Sequence, residues 1–202
     1  MTFEVETPIL NSPFEPPNEY WYIRPGEPPQ RLAGRRPAFV FQPRDQPEAW
    51  DVEGDPTLAI LDGYERAYQL TLVNQIRDRL TQWRRDGRPG ATRITRELID
   101  WWEREGRDQR LFFAQLEAAE TIIFLREARA DYLQGLAVPR EEPGPDTKEW
   151  GAIGFPRVAC KMATGAGKTT VMAMTAAWSV LNKVTTGPTP PIRTSCSSSA
   201  RT

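Results

Sequence analysis

The segment Met162-Ala-Thr-Gly165-Ala-Gly167-Lys168-Thr169-Thr170 brings together the residue types that grip a polyphosphate. Two glycines admit a tight turn whose backbone N–H groups can face anionic oxygens, and the lysine directly after them supplies a cation. The general phosphate-loop pattern is G-x-x-x-x-G-K-[ST], and Met162 stands at its first glycine position. From Thr164 through Gly165, Ala166 and Gly167 to Lys168, Thr169 and Thr170 the rest of the pattern is intact. In that pattern Lys168 neutralises the β- and γ-phosphates of a triphosphate such as ATP, and the Thr169 hydroxyl ligates Mg2+. The competing reading is a glycine-containing turn with an incidental lysine.

A phosphate loop needs a strand before it and a helix after it. Val158-Ala-Cys-Lys-Met162 is a short apolar run that predicts a buried strand. Residues 168–182 carry Val171, Met174, Trp178 and Leu181 at helical spacing, which would aim the positive end of a helix dipole at the loop. Further upstream, 62–84 predicts a helix with Asp62 as N-cap and Leu72, Ile76, Leu80 and Trp83 on one face, stopped by Gly87-Arg-Pro-Gly90. A second helix, capped by Thr92 or Thr95, runs through Ile94, Leu98, Trp101 and Trp102 to about Gly106. A third covers 110–135, with Phe112, Leu116, Ala119, Ile123 and Leu133 on or near one face. The paired aromatics read as core rather than as a base-stacking platform. Charge pairs such as Arg104-Glu105 and Arg126-Glu127 read as solvated helix faces, and Arg35-Arg36 and Arg84-Arg85 as solvated surface.

The flanks differ in kind. Residues 1–60 hold 11 of the 19 prolines, which disfavours long helices there. They predict a partly ordered arm folded against the helices, anchored by short strands at Tyr20-Trp21-Tyr22-Ile23 and Ala38-Phe39-Val40-Phe41. The helical region follows over 61–135, then an acidic, proline-rich loop over 136–150. The phosphate-loop segment occupies 151–184, and a Ser/Pro/Thr-rich tail 185–202.

Composition narrows the chemistry. With no histidine in 202 residues, Ser-His-Asp and Cys-His nucleophile systems and imidazole zinc sites are excluded. Two cysteines cannot build a four-thiolate site or a disulfide framework. The N-terminus lacks a positive, apolar secretory pattern and no run reaches the roughly 20 apolar residues of a membrane span, so a cytoplasmic chain is expected. The net charge of −1 hides a division: all 27 acids lie at or before Glu149, and the residues after it hold six bases and no acid. An acid-free, cationic end suits an anionic ligand.

Arg157-Val-Ala-Cys-Lys-Met-Ala-Thr-Gly-Ala-Gly-Lys-Thr-Thr-Val-Met-Ala-Met-Thr-Ala-Ala-Trp178 resembles motif I of the type III restriction enzyme Res-subunit family, within the DEAD/DEAH-box (superfamily 2) helicases. Leu111-Phe-Phe-Ala-Gln-Leu-Glu-Ala-Ala-Glu-Thr-Ile-Ile-Phe-Leu125 is similar to the helix that precedes motif I there. A glutamine at the place of Gln115 reads the adenine edge in that family, so the resemblance implies Gln115 as base reader, with an ordinary helix-surface glutamine as the alternative. Asn11-Ser-Pro-Phe-Glu-Pro-Pro and Gly34-Arg-Arg-Pro37 resemble its leader loosely. The resemblance spans about 110–184. It implies an α/β chain, mostly helical as it stands: a helical N-terminal region, then the first strand, loop and helix of a truncated RecA-like P-loop NTPase domain. It also implies ATP and Mg2+ as cofactors. In intact relatives double-stranded DNA and a DNA-modification subunit are the partners.

Hydrolysis in this family rests on an Asp-Glu-x-x motif after motif I, and no acid follows Glu149. The expectation is a chain that binds Mg-ATP weakly and does not turn it over, the N-terminal fragment of a helicase, translocase or restriction subunit from an interrupted gene. A genuine flexible tail is the alternative origin of 185–202. A non-catalytic helical interaction module with a vestigial phosphate loop is the alternative function. With no second strand to pair with, residues 156–162 are expected to form an unsatisfied edge, leaving Val171, Met174 and Trp178 exposed.

Overall fold

The computed structural model describes residues 5, 7–23, 27–43, 64–151 and 153–186. Asp62 and the tail beyond 186 lie outside the described residues. Among the described residues the architecture is mixed: four longer helices around one core, with three small antiparallel strand pairs.

The arm forms strands where its aromatics predict them. β1 (Glu19–Tyr22) pairs with β2 (Gln30–Ala33), Tyr20 opposite Leu32 and Trp21 opposite Arg31. Asn11 pins this hairpin, donating to Glu19 O at 2.8 Å and accepting from the Asn18 N–H at 2.9 Å. β3 (Phe39–Pro43) pairs with β4 (Tyr64–Gln69), with Phe39 opposite Gln69 and Val40 opposite Tyr68. This corrects the expected 62–84 helix, whose first turns are strand. Tyr64 and Tyr68 suit a pleated surface, and a ladder to a distant segment outweighs local helix propensity.

α1 (Thr71–Arg85) therefore starts after Leu70, without a side-chain cap. The Leu70 N–H reaches Ala38 O at 2.8 Å, and Asn74 Oδ1 accepts from the Ala38 N–H at 2.9 Å, fastening α1 to the arm. α2 (Arg93–Glu103) is capped as read: Thr92 Oγ1 accepts from the Thr95 N–H at 3.0 Å.

The expected 110–135 helix is two helices, α3 (Phe113–Glu127) and α4 (Ala130–Leu133). The break lies where the turn after α1 presses in. A Cβ on Gly90 (φ +93°) would overlap Glu127 O and stand 2.8 Å from Arg129 N, so only glycine lets the two backbones meet. The Arg129 N–H donates across this contact to Pro89 O at 3.3 Å.

The acidic loop folds locally into β5 (Arg140–Glu141), α5 (Pro145–Glu149) and β6 (Phe155–Pro156), with β5 antiparallel to β6. α6 (Lys168–Thr186) closes the described chain. None of the described helices is long and apolar enough to cross a membrane.

α3 is apolar on more than one face because it is central: it packs on α1 and on α6, and α2 packs on α6. Leu80, Trp83, Ile99, Ala119, Ile123 and Phe124 are fully enclosed, and the Trp83 and Phe124 rings meet edge-on at 5.6 Å. The paired tryptophans split: Trp102 joins the core, whereas Trp101 is 57% exposed with the Arg104 guanidinium stacked 3.4 Å from its ring centre.

Two expectations about the last segment are overturned. Val158–Met162 is extended chain outside any strand, with Val158 42% exposed. A buried strand needs a ladder on at least one side; among the described residues none is offered, so water solvates this backbone instead. Conversely, Val171, Met174 and Trp178 are buried, Trp178 to 3% exposure. α2 and α3 supply the apolar partner that a sheet was expected to provide. The opposite stripe of α6, Met172, Val180 and Val184, is the exposed one.

Candidate nucleotide site

The phosphate loop is a turn that opens directly into α6. Gly165 and Gly167 both have φ +79°, a conformation costly for any residue with a Cβ. The Ala166 N–H closes the turn on Ala163 O at 3.3 Å, and the Thr170 and Val171 N–H groups return to Gly167 O at 3.0 and 3.3 Å. The amides of Gly165, Gly167, Lys168 and Thr169 donate to no acceptor among the described residues. Unspent donors at a helix start suit anionic oxygens, and the helix dipole adds to the attraction.

Lys168 and Thr169 are exposed at the mouth, and Thr170 is half-buried behind them. The Lys168 Nζ curls back onto Ala163 O at 3.2 Å. Such a neutral-acceptor bond at the surface is worth about 1 kcal/mol, and a charge-assisted bond to phosphate is stronger, so the lysine is free to exchange one for the other. Among the described residues no group of three His, Cys, Asp or Glu side chains converges to hold a metal ion.

Gln115 lies beside the same turn. Its side chain is buried, Oε1 accepts the Phe112 N–H at 2.9 Å, and the amide end lies over Gly167. A Cβ on Gly167 would overlap Gln115 Nε2 and stand 3.1 Å from Cδ. One half of the amide is committed to capping α3, which leaves the Nε2 donors turned toward the loop. The glutamine that the resemblance implied as base reader is a buried group touching the loop, so the alternative of an ordinary helix-surface glutamine does not hold.

What holds α6 and α3 in this relation is polar as well as apolar. Glu127, expected on a solvated face, is a half-buried hub: its carboxylate accepts from Trp178 Nε1 at 2.7 Å, Thr95 Oγ1 at 2.9 Å and the Thr92 N–H at 3.0 Å. Asn182 joins through Thr92 and Thr95. Gln115 beside Gly167 and Glu127 beside Trp178 mean that α3 and α6 run parallel, with both N-termini at the site.

Two turns earlier on α3, Glu120 is buried between Arg84 and Arg88, and Arg88 also pairs with Glu103 at 3.1 Å. Burial pushes the Glu103 carboxyl up from its ordinary range, against the pull of Arg88. Arg35 forks onto Glu117, so the first arginine of each pair read as free surface is an ion-pair partner. The arm reaches α3 as well: the Phe113 N–H donates to Pro13 O at 2.9 Å, and the Phe14 and Phe112 rings stand 5.4 Å apart.

The sequence-derived residues Thr164 to Thr170 and Gln115 thus stand at one end of the α3–α6 pair. The residues missed were the buried Glu120, the half-buried Glu127 and the arginines of the 104–110 loop. The three-residue spacing of Arg104, Arg107 and Arg110 beyond a helix end was the available signal. Comparison with known proteins found no matching family model, no matching curated sequence and no matching solved structure.

Proposed function

We propose that the chain binds Mg-ATP through Thr164 to Thr170 and Gln115, as the nucleotide-gripping N-terminal portion of an ATP-dependent DNA motor of the type III restriction Res-subunit or superfamily 2 helicase kind. The observation that carries this reading is the contact between Gln115 and Gly167, two residues singled out on separate grounds and far apart in sequence. The free amides at the start of α6 support it further.

In this reading the backbone N–H groups of Gly165, Gly167, Lys168 and Thr169 cradle the phosphates, and Lys168 leaves Ala163 O to neutralise the β- and γ-oxygens. Thr169 Oγ1 holds Mg2+, which when bound bridges phosphate oxygens and offsets their charge. Gln115 Nε2 offers its donors to the base. Hydrolysis needs a carboxylate to orient water, and the acid-free stretch after Glu149 provides none. This 202-residue chain therefore binds without turnover. A RecA-like P-loop fold, double-stranded DNA and a DNA-modification subunit belong to the same proposal, as does a cytoplasmic setting.

One observation favours a second reading, a helical interaction module with a vestigial loop: Val158–Met162 is solvated chain rather than strand. Titration with a fluorescent ATP analogue separates the two. The first reading predicts saturable binding that Lys168→Ala abolishes, the second no binding to either protein.

A further inference from the structure

A groove of about 640 Å³ runs between the arm, the 104–110 loop and the α1-facing side of α3, and none of its lining residues belongs to the phosphate loop. Its volume falls within the roughly 300–1,000 Å³ of small-molecule sites. Phe14, Trp102, Phe113, Leu111 and Leu116 form apolar walls.

The charges around the groove divide into two sets. Glu120 is compensated by Arg84 and Arg88, and Glu103 by Arg88. Arg104, Arg107 and Arg110 form no ion pair among the described residues. Arg104 stacks on Trp101 and donates to its carbonyl at 2.8 Å. Arg107 donates to Gln109 O at 3.2 Å and to Trp101 O at 3.3 Å. Arg110 sits 5.0 Å from the centre of the Phe14 ring. Of the lining acids, Glu105 is the one with no counter-charge among the described residues, and it is exposed on the rim. The guanidiniums are thus ordered by aromatic faces and carbonyls, which leaves their charge unneutralised and N–H donors unspent. Three such forks beside apolar walls match a phosphate on an aromatic body.

We propose that this groove binds a phosphorylated nucleoside, with the phosphate on Arg104, Arg107 and Arg110 and the nucleoside against Phe14, Trp102 and Phe113. A free nucleotide and the terminal unit of a nucleic-acid strand share that chemistry. The site stands independently of the proposed ATP function.

The test uses the full chain with EDTA present, which removes the Mg2+ that the phosphate loop relies on. AMP, adenosine, and a short single-stranded oligothymidylate with either a 5′-phosphate or a 5′-hydroxyl are titrated by calorimetry. The expected result is binding of AMP or the 5′-phosphorylated strand, at least tenfold weaker for adenosine and the 5′-hydroxyl strand. Arg107→Gln/Arg110→Gln should weaken it at least tenfold, Arg107→Lys/Arg110→Lys should retain most of it, and Lys168→Ala should leave it unchanged. The probe that binds names the source. Failure of both phosphorylated probes overturns the proposal, as does equal binding of adenosine and AMP, undiminished binding by the double Gln variant, or loss in Lys168→Ala. Mg-ATP binding that is indifferent to Lys168→Ala would instead overturn the phosphate-loop reading and leave this groove standing.

Discussion

At the scale of single residues, two contacts decide how the site is built. Gly167 lets Gln115 lie on the phosphate loop, so Gly167→Ala must displace that amide and also strain a backbone at φ +79°. We expect a loss of about 1–3 kcal/mol in denaturant unfolding. In a double-mutant cycle with Gln115→Ala the two losses should be less than additive, because the shorter side chain removes the overlap while the strain remains. Glu127 is the second decisive residue. Glu127→Ala removes the acceptor of the Thr95 hydroxyl and the Thr92 N–H and leaves Trp178 Nε1 only Thr95 Oγ1 at 3.0 Å, and should cost about 1–3 kcal/mol, with Glu127→Gln cheaper because one acceptor survives. The glycines, Lys168 and Thr169 were legible from spacing alone, since backbone freedom and phosphate affinity are properties of residue type. Glu127 was not, because whether a helix-surface acid meets water or a neighbouring indole depends on a partner that lies elsewhere in the chain.

At the scale of elements, periodicity located the helices and failed at their ends. The α2 cap at Thr92 was readable because Thr92 Oγ1 reaches Thr95 within its own first turn. The start of α1 was not readable, because β4 is held by pairing with β3 and not by its own residues. α6 gives the clearest element-level prediction. Its Val171, Met174 and Trp178 face is packed by α2 and α3, so amides 174–182 should exchange slowly while amides 158–163, outside any ladder, exchange orders of magnitude faster. Protection at 158–163 equal to that of α6 would show a strand there. Trp178→Ala should cost about 3–5 kcal/mol through the cavity it leaves and the donor it removes, whereas Val184→Ser on the exposed stripe should stay within about 0.5 kcal/mol.

At the scale of the whole molecule, the helices alone bring the phosphate loop, Gln115 and the arm to one end of a shared core. The separation of charge along the chain has a structural counterpart: the buried acids brace α1, α2 and α3 from within, and the acid-free end carries the loop. In the proposed function that cationic end suits an anion. Steady-state assays should find no hydrolysis of Mg-ATP by this chain above background. The central claim is grip without turnover, and an equilibrium titration of the parent chain and of Lys168→Ala with a fluorescent ATP analogue and Mg2+ tests it most directly. Saturable binding by the parent, lost in the variant whose far-ultraviolet dichroism is unchanged, is the predicted result. No saturable binding by the parent, or equal binding by both, would contradict it.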